Sequence, residues 1–414
     1  MKNIRIVTYL IFFLGFSFSK AQMLPKYMFP TPGEITIGAS TPIPDGIEPT
    51  REAYEELIDC GFNLGLTNGT LDYFKNQFKL IKGLNFKYLI QNDNLFTEKR
   101  KEFIKAFQDE PNFAGWKFKD EPKYSDLNQL QRQYDALLKD DNTNLIYINL
   151  VGVIDKTFTG PFTKFSDYLD LIQQKFRPEI WSFDYYPILV KDGKVKIDYE
   201  TFYSVLEDFK NISNKTGRPF WSYCESMAYK AKSYSRPAAT EEYLRFEAFT
   251  ALAYGAQGIV YWTYGQRNSN SVETYTSALV NLNGKKSKAW QSAKKVNAEI
   301  KKYNEVFFNC KVKDLKHTGN KTYKGTKKLN GEFGPFKSIS GGTSGVIVSD
   351  IESAGGNYIV IISRDVEKTQ KVTLKLKDDV SLSDLTQSNN PILSSGKDIN
   401  FTLGKGGYKI YKIM

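Results

Sequence analysis

The chain has 414 residues, of which 41% are hydrophobic and 25% are charged, and its formal net charge is +11. This is the composition of a globular protein, and the length is more than one core usually fills, so we expect two domains. One histidine and three cysteines argue against a Ser-His-Asp triad, a histidine-rich zinc centre and a disulfide framework. Any chemistry must therefore rest on carboxylates, and we expect neither a metal nor a cofactor.

The first 21 residues have the pattern of a secretory signal peptide. Lys2 and Arg5 precede an apolar stretch over Ile6–Phe18, and small residues follow up to Ala21. A buried apolar strand is the alternative, but the position at the N-terminus favours a signal cut after Ala21. No other run is long and apolar enough to span a membrane, so we expect a secreted or periplasmic protein without a transmembrane segment.

The positive charge is scattered along the chain and forms no long basic block. Most of it is explained by a solvated surface, and an affinity for an anionic partner such as a uronic or sulfated polysaccharide is the more specific alternative. A nucleic-acid partner is not expected for an exported protein.

Eight short β-rich runs alternate with longer helical patterns in the first two thirds of the chain. The runs cover residues 35–40, 62–67, 87–92, 113–122, 144–150, 180–187, 219–226 and 258–265. This count and spacing predict an α/β fold, a (β/α)8 TIM barrel over residues 22–305. A doubly wound open sheet is the competitor, but no glycine-rich phosphate loop follows the first run.

After residue 305 the pattern changes to strands with period-two alternation. The runs at 345–353, 357–365, 370–378 and 407–413 are separated by Ser, Gly, Asn and Asp turns, with no helical pattern between them. We therefore predict a C-terminal antiparallel β-sandwich over residues 306–414.

Acidic residues end two of the eight barrel runs. Asp120 and Glu121 end the fourth run, and Glu225 ends the seventh. Active sites of TIM barrels lie at the carboxyl ends of the strands, so these groups should meet at the barrel mouth. Each glutamate alone would be explained by a surface salt bridge, but the pair fits a retaining glycosidase, whose carboxyl groups lie about 5–5.5 Å apart.

Strand alternation assigns the neighbours of these acids to faces. Tyr223 and Glu225 share a face, so Cys224 points away from them. Asp184 and Tyr186 share a face at the end of the sixth run. We therefore predict that these four polar side chains point into the barrel and that Cys224 packs in the core.

Residues 30–302 resemble clan A, the 4/7 superfamily, of retaining glycoside hydrolases. In that clan an Asn-Glu-Pro signature follows strand four, and a second glutamate follows strand seven. Here the first position reads "DEP", from Asp120 to Pro122. The resemblance implies that Glu121 is the acid/base and Glu225 the nucleophile. Family 42-like β-galactosidases and endo-β-glucanase families both fit this pattern.

The resemblance also implies a substrate-binding set. The clan has a tyrosine near strand six that contacts the nucleophile, which Tyr185 or Tyr186 in "FDYYP" supplies. An aromatic side chain at strand eight forms a sugar platform, and Trp262 in "YWTYG" matches it. Added β-sandwiches are common among such enzymes.

The sequence departs from the clan at Asp120, which replaces an asparagine that binds the substrate 2-hydroxyl. An aspartate accepts a hydrogen bond from that hydroxyl but cannot donate one. Its charge should raise the pKa of Glu121, as suits a general acid. Lys119 would act in the opposite direction unless it pairs with Asp120 or reaches an anionic substrate.

The sequence thus predicts a secreted retaining β-glycoside hydrolase that acts on a β-galactoside or β-glucan-like poly- or oligosaccharide. The alternative is a non-catalytic glycan-binding protein on the same barrel, which has no need for the carboxylate pair. A third possibility is an adhesive protein in which the sandwich does the work. All five tryptophans precede the sandwich, which argues against a carbohydrate-binding role for it.

Overall fold

The computed structural model describes residues 33–394 and 398–414, and the predicted signal peptide lies outside these ranges. Eight parallel strands close into a barrel in which each strand pairs with its neighbours along the chain. With strands numbered along the whole chain, the barrel consists of β1 (Thr36–Ser40), β2 (Leu64–Asn68), β3 (Lys87–Gln91), β4 (Phe113–Asp120), β5 (Leu145–Val151), β6 (Trp181–Asp184), β9 (Phe220–Glu225) and β12 (Gly258–Trp262). The predicted TIM barrel is confirmed.

Helices on the outside of the barrel cover its strands. Several begin at side-chain caps: Thr50 accepts from the Ala53 N–H at 3.2 Å, and Thr240 accepts from the Tyr243 N–H at 3.3 Å. Within the described ranges, no helix is long and apolar enough to cross a membrane. The helices are α1 (Arg51–Asp59), α2 (Leu71–Ile81), α3 (Arg100–Phe107), α4 (Leu127–Asp140), α5 (Lys156–Thr159), α6 (Phe165–Phe176), α7 (Tyr199–Thr216), α8 (Glu241–Ala253), α9 (Lys288–Lys302) and α10 (Asn304–Phe307), with 3-10 turns at Asp93–Phe96 and Tyr124–Asp126.

Alternation along the barrel strands separates two apolar layers. Trp221 and Tyr223 pack inside the barrel with Tyr147 and Val260. Cys224, one residue on from Tyr223, lies in the layer between the strands and the helices. The barrel is therefore filled by side chains below its mouth, and polar groups are left for the carboxyl ends of the strands.

A small five-stranded sheet stands beside the barrel mouth and was not predicted from the sequence. Its strands come from the segments that follow barrel strands β6, β9 and β12, and they pair in the order β13-β10-β11-β7-β8. With two to four residues each, they are too short to show a period-two pattern. They are β7 (Ile188–Lys191), β8 (Lys194–Ile197), β10 (Ala228–Lys230), β11 (Ser235–Arg236) and β13 (Thr274–Ser277).

The C-terminal part is a β-sandwich, as predicted, with an antiparallel six-stranded sheet in the order β14-β16-β17-β22-β19-β20 and a three-stranded sheet in the order β15-β18-β21. A second apolar core lies between the two sheets. The strands are β14 (Lys311–His317), β15 (Phe336–Gly341), β16 (Val346–Ser353), β17 (Gly356–Ser363), β18 (Gln370–Leu376), β19 (Ser381–Asp384), β20 (Ile392–Ser394), β21 (Ile399–Leu403) and β22 (Tyr408–Ile413). The domain limits stated above stay predictions.

The six-stranded sheet packs directly on the barrel through α8. The rings of Phe249 and Tyr408 stack with their centroids 4.0 Å apart. His317 is buried in the same interface, where its Nε2 lies 2.8 Å from the Tyr254 hydroxyl. Burial lowers the pKa of His317, and the nearby Arg364 guanidinium lowers it further. The one histidine of the chain is therefore a neutral packing group at the interface, far from carboxylate chemistry.

Candidate active site

Glu121 follows β4 in an unusual backbone conformation. Its φ of +41° lies in the left-handed region, which costs a residue with a side chain about 1–3 kcal/mol. Its N–H donates to the Asn149 carbonyl of the neighbouring strand at 2.9 Å, and Pro122 turns the chain away. The strain is thus borne at the residue that the sequence predicts as the general acid.

The carboxyl group of Glu121 is a hydrogen-bonding neighbour of Asp184 at the end of β6. Burial raises the pKa of Glu121, and the negative charge of Asp120 raises it further. Burial, Glu121 and Asp120 likewise raise the pKa of Asp184. Two carboxyl groups in contact hold a proton between them more readily than two charges, so this side of the mouth retains a proton.

Asp120 forms polar contacts with one residue on its own strand and with one on the adjacent strand. A bulge in the pairing of β4 with β5 falls between Lys117 and Lys119. The Lys117 ammonium lies 3.3 Å from Asp120 Oδ2. The Asn149 side-chain amide donates to Asp120 Oδ1 at 3.1 Å and to Asp184 Oδ1 at 3.2 Å. The partner of Asp120 is therefore the buried Lys117, whereas Lys119, on the other side of the bulge, is partly exposed.

A chain of hydrogen bonds inside the barrel fixes the orientation of Asn149. Ser182 Oγ donates to Asn149 Oδ1 at 2.8 Å, so the amide nitrogen must face the two acids. Tyr147 and Ser182 hydroxyls lie 2.6 Å apart, and Tyr147 and Tyr223 hydroxyls lie 3.3 Å apart. Tyr223 thus belongs to a polar line that crosses the barrel interior from β9 to β5.

Glu225 ends β9 and is only 4% exposed. Its Oε1 accepts the Met227 N–H at 3.0 Å, and its own N–H donates to Glu247 Oε2 at 3.0 Å. Its Oε2 lies 4.0 Å from Arg236 Nε. Neither of these last two atoms has a hydrogen-bond partner within the described ranges. One oxygen of Glu225 is therefore held and the other is free to react.

Opposing effects act on the ionisation of Glu225. Burial raises the pKa of Glu225 well above its ordinary value, and the Arg236 guanidinium and the Met227 N–H, which favour the charged form, offset this only in part. Glu247, buried on α8, has a pKa raised to about 8 by its own burial. An uncharged Glu247 would position the Glu225 backbone without adding a second negative charge beside it.

Arg236 is held rigidly beside Glu225. Its Nη1 donates to the carbonyl oxygens of Tyr186 and, at 2.8 Å, of Ile188. Its guanidinium lies 5.7 Å from the centre of the Tyr186 ring and 5.2 Å from that of Tyr234. Arg236 lies on β11, which pairs with β7, so the small sheet positions this guanidinium at the barrel mouth.

The structure separates the two candidate tyrosines after β6. Tyr186 packs on the barrel interior, and its pKa is raised by burial and by Asp184 and Glu225 nearby. Tyr185 points the other way, and its hydroxyl donates to Asp198 Oδ2 at 2.6 Å. Tyr186 is therefore the tyrosine on the side of Glu225, and Tyr185 caps the outer core near α7.

Trp262 ends β12 in register with Glu225 and is partly exposed. The guanidinium of Arg267 lies 5.4 Å from the centre of the Trp262 ring. Trp262 also packs on the aromatic cluster of the small sheet, which includes Tyr229 and Tyr275. An aromatic face at the barrel mouth is the surface on which a sugar ring would stack.

Sequence reasoning missed four groups, and two of them left a signal. Asn149 alternates with Leu145 and Tyr147 in a buried strand, so its inward amide could have been found. Glu247 is an acid on a helix most of whose other residues are buried. Arg236 and Lys117 left no signal in the sequence. The position of Arg236 depends on the small sheet, and the position of Lys117 depends on the bulge in β4.

The setting of the two glutamates predicts opposite shifts of the pH profile. Arg236→Gln should raise the pKa of Glu225 and move the acidic limb of kcat/KM upward by about 1–2 pH units. Asp120→Asn should lower the pKa of Glu121 and move the alkaline limb downward by less than about one unit, because Asp120 is screened by solvent. Each variant should leave the other limb in place. Movement of both limbs together in either variant would contradict these roles.

Within the described ranges, no group of three or more His, Cys, Asp or Glu side chains is arranged to hold a metal ion. The chemistry that the mouth supports is proton transfer and nucleophilic attack by carboxyl groups, with a glutamate of raised pKa at the end of β4 and a buried glutamate beside a guanidinium at the end of β9.

Comparison with known proteins agrees with this geometry. The model of glycoside hydrolase family 42, described as β-galactosidase, matches residues 130–303, which include Glu225 but not Glu121. No curated protein sequence matches the chain.

Solved structures share the fold at low identity. A catalytic mutant of a family 42 β-galactosidase from G. stearothermophilus superposes with a TM-score of 0.61 and 9% identity, covering 92% of this chain and 98% of that one. A β-galactosidase from Bacillus circulans sp. alkalophilus gives 0.58 and 9%, covering 93% and 99%. A family 5 glycoside hydrolase from Bacteroides vulgatus gives 0.54 and 10%, covering 92% and 89%. The resemblance to clan A is thereby confirmed, and the match within the barrel together with the shared fold supports a glycoside hydrolase.

Proposed function

We propose that the protein is a retaining β-glycosidase acting on β-galactosides, with Glu225 as nucleophile and Glu121 as acid/base. The observation that supports this most is the contrast between the two settings. Burial and the charge of Asp120 raise the pKa of Glu121, whereas at Glu225 the Arg236 guanidinium and the Met227 N–H act against the effect of burial and favour the charged form. Retaining hydrolysis needs one group of each kind.

The reaction would proceed in two displacements. Glu225 Oε2 attacks the anomeric carbon while the bond to the leaving oxygen breaks, and that oxygen takes the proton of Glu121. The product is a covalent glycosyl-enzyme and a Glu121 carboxylate. Glu121 then removes a proton from water, which attacks the anomeric carbon and releases Glu225. Both displacements invert, so the configuration is retained.

Substrate contacts follow from the same geometry. Trp262 would stack on the sugar ring, and Tyr186 would bind the nucleophile before attack. The carboxylate of Asp120 and the protonated pair of Glu121 and Asp184 would accept and donate hydrogen bonds to sugar hydroxyls. Tyr223 would act from inside the barrel, below the mouth, through the hydrogen-bond chain that orients Asn149. Tyr185 would not contact the substrate.

The test is the stereochemistry of hydrolysis by the wild type. Aryl and oligomeric β-galactosides and β-glucosides are incubated with the enzyme, and the first-formed anomer is read by proton NMR. We expect the β-anomer and a preference for β-galactosides. A first-formed α-anomer would place the protein in the inverting class. Binding of these sugars without any hydrolysis would support the glycan-binding alternative instead.

We also propose that the enzyme is exported and works on polysaccharide-derived substrates. The N-terminal charge and apolar pattern supports this, with cleavage after Ala21. Mass spectrometry of the extracellular or periplasmic protein should give Gln22 as the first residue, and retention of residues 1–21 in a cytoplasmic fraction would oppose export.

A further inference from the structure

A groove of about 400 Å³ runs along the small sheet beside the barrel mouth. It is lined by Leu189, Lys191, Ser233, Tyr234 and Arg236. One wall residue, Arg236, is the group that faces Glu225. Arg236 is therefore shared by the groove and the surroundings of Glu225, and the other lining residues lie on β7 and just before β11.

Strand register shows that more lysines share this face. In the β7–β8 hairpin, Leu189 pairs with Lys196 and Lys191 pairs with Lys194. Side chains of directly paired residues lie on the same side of a sheet. Because Leu189 and Lys191 line the groove, Lys194 and Lys196 are on the groove side too. We call Lys191, Lys194, Lys196 and the groove beside them the lysine groove.

The charge of the lysine groove is poorly balanced by the protein. Its three lysines are exposed. Asp192, in the hairpin turn, lies 3.4 Å from Lys196, and within the described ranges Lys191 and Lys194 have no acidic partner at ion-pair distance. Like charges directly opposite one another destabilise a hairpin. A ligand that carries negative charge would relieve this repulsion.

The opposite charge prevails where the reacting sugar must lie. Asp120, Glu121, Asp184 and Glu225 meet at the mouth, and the charge of Glu273, on the segment before β13, reaches both glutamates. Lys117 is buried and already paired with Asp120. An anionic group on the reacting sugar would therefore be repelled, whereas the same group further along the glycan would not.

Distance along the strands locates the favourable position. Ser235 pairs with Val190, so Arg236 is level with Leu189, and Lys191 lies two residues further out. At the rise of a β-strand, this is about 7 Å. A glycan that leaves the reaction centre over Arg236 and stacks on Tyr234 would bring its next residues over the lysines.

We propose that the lysine groove is a subsite for an anionic glycan, in which a neutral sugar reacts and a neighbouring sugar carries a sulfate or a carboxylate. This rests on the proposed glycosidase function and specifies its substrate. It also replaces Lys119 with Lys191 and Lys194 as the groups that contact the anion.

The experiment measures inhibition of aryl β-galactoside hydrolysis by pairs of oligosaccharides that differ only in charge. Sulfated galacto-oligosaccharides are compared with their desulfated forms, and galacturonate oligomers with their methyl esters. In the wild type, the anionic member of at least one pair should have a Ki lower by about fivefold or more at low ionic strength, and added salt should reduce this ratio. The double variant K191S/K194S should bring the ratio near one.

The matched control is K327S/K328S, which removes the same charge from an exposed lysine pair in the sandwich and should keep the wild-type ratio. The aryl substrate is neutral, so its kcat/KM should stay unchanged in both double variants. Equal Ki values within every pair, or a ratio that survives in K191S/K194S, would overturn the proposal. If the wild type hydrolyses no aryl glycoside, the proposed function fails, and the same ratios measured by titration calorimetry still decide on the groove.

Discussion

Glu225→Ala is expected to lower kcat by on the order of 10⁴- to 10⁶-fold, because it removes the carboxylate that would form the covalent intermediate. Oε1 of Glu225 is held by the Met227 N–H, and Oε2 faces the mouth beside Arg236. Removing the carboxylate leaves a cavity next to a guanidinium. A small anion such as azide should enter this cavity and attack the anomeric carbon in place of the glutamate.

Azide should therefore restore part of the turnover of Glu225→Ala on activated aryl β-galactosides. Its single displacement should give the α-galactosyl azide, a product of inverted configuration, which NMR identifies. Cys224→Ala is the matched control, since Cys224 lies on the same strand, is equally buried and points to the helix layer. It should lose stability rather than activity.

Retention of more than a small percentage of turnover in Glu225→Ala, or a β-azide product, would remove Glu225 from the nucleophile role. A crystal structure of the enzyme trapped with a slow fluorinated substrate gives an independent result. The sugar should be bonded to Glu225, and the two catalytic carboxyl groups should lie about 5–5.5 Å apart before reaction.

The barrel could be predicted because its signal is repeated and local. Each of the eight strand runs is long enough to show its pattern, and helix caps such as Thr50 and Thr240 mark where the next helix begins. The sandwich strands β16, β17, β18 and β22 follow from strict alternation. The small sheet has no such signal, since β11 has two residues and is defined by its partners alone.

The residues of the site likewise divide into those that could be predicted from the sequence and those that could not. Asp184 and Glu225 could be placed at the mouth because a regular strand fixes the side to which a residue points. Glu121 could be placed there only by its position at the end of the fourth run. The bulge in β4 breaks that rule, and it brings Lys117 to Asp120, a pairing that the sequence did not indicate. The sequence shows which residues take part in such an irregularity, but it does not show the hydrogen bonds that stabilise it.

The adjacent acids Asp120 and Glu121 illustrate how such contacts decide chemistry. Alone, two neighbouring carboxylates repel one another. Here Asp120 has an ion-pair partner in Lys117 and a hydrogen-bond donor in Asn149, and burial together with the charge of Asp120 raises the pKa of Glu121. The bulge, the buried lysine and the amide of β5 thus give the two adjacent acids different surroundings, as the proposed acid/base role of Glu121 requires.

Glu121→Ala should accordingly show a loss that depends on the leaving group. Substrates with poor leaving groups, such as alkyl galactosides and oligosaccharides, need the proton and should lose about 10²- to 10⁴-fold in kcat/KM. Aryl galactosides with acidic phenols should lose far less in the first step, because the departing oxygen is stable as an anion. A plot of log kcat/KM against leaving-group pKa should therefore be much steeper for the variant than for the wild type.

The second displacement catalysed by the Glu121→Ala variant tests the role of Glu121 as general base. Without Glu121 to activate water, the glycosyl-enzyme should accumulate, and azide, which needs no base, should release it as the β-galactosyl azide with retained configuration. Glu110→Ala, at the other end of β4 and exposed, is the matched control and should behave as the wild type. A uniform loss across all leaving groups would show that Glu121 binds or positions the substrate, and Asp184, its hydrogen-bonding neighbour, would then be the acid to test.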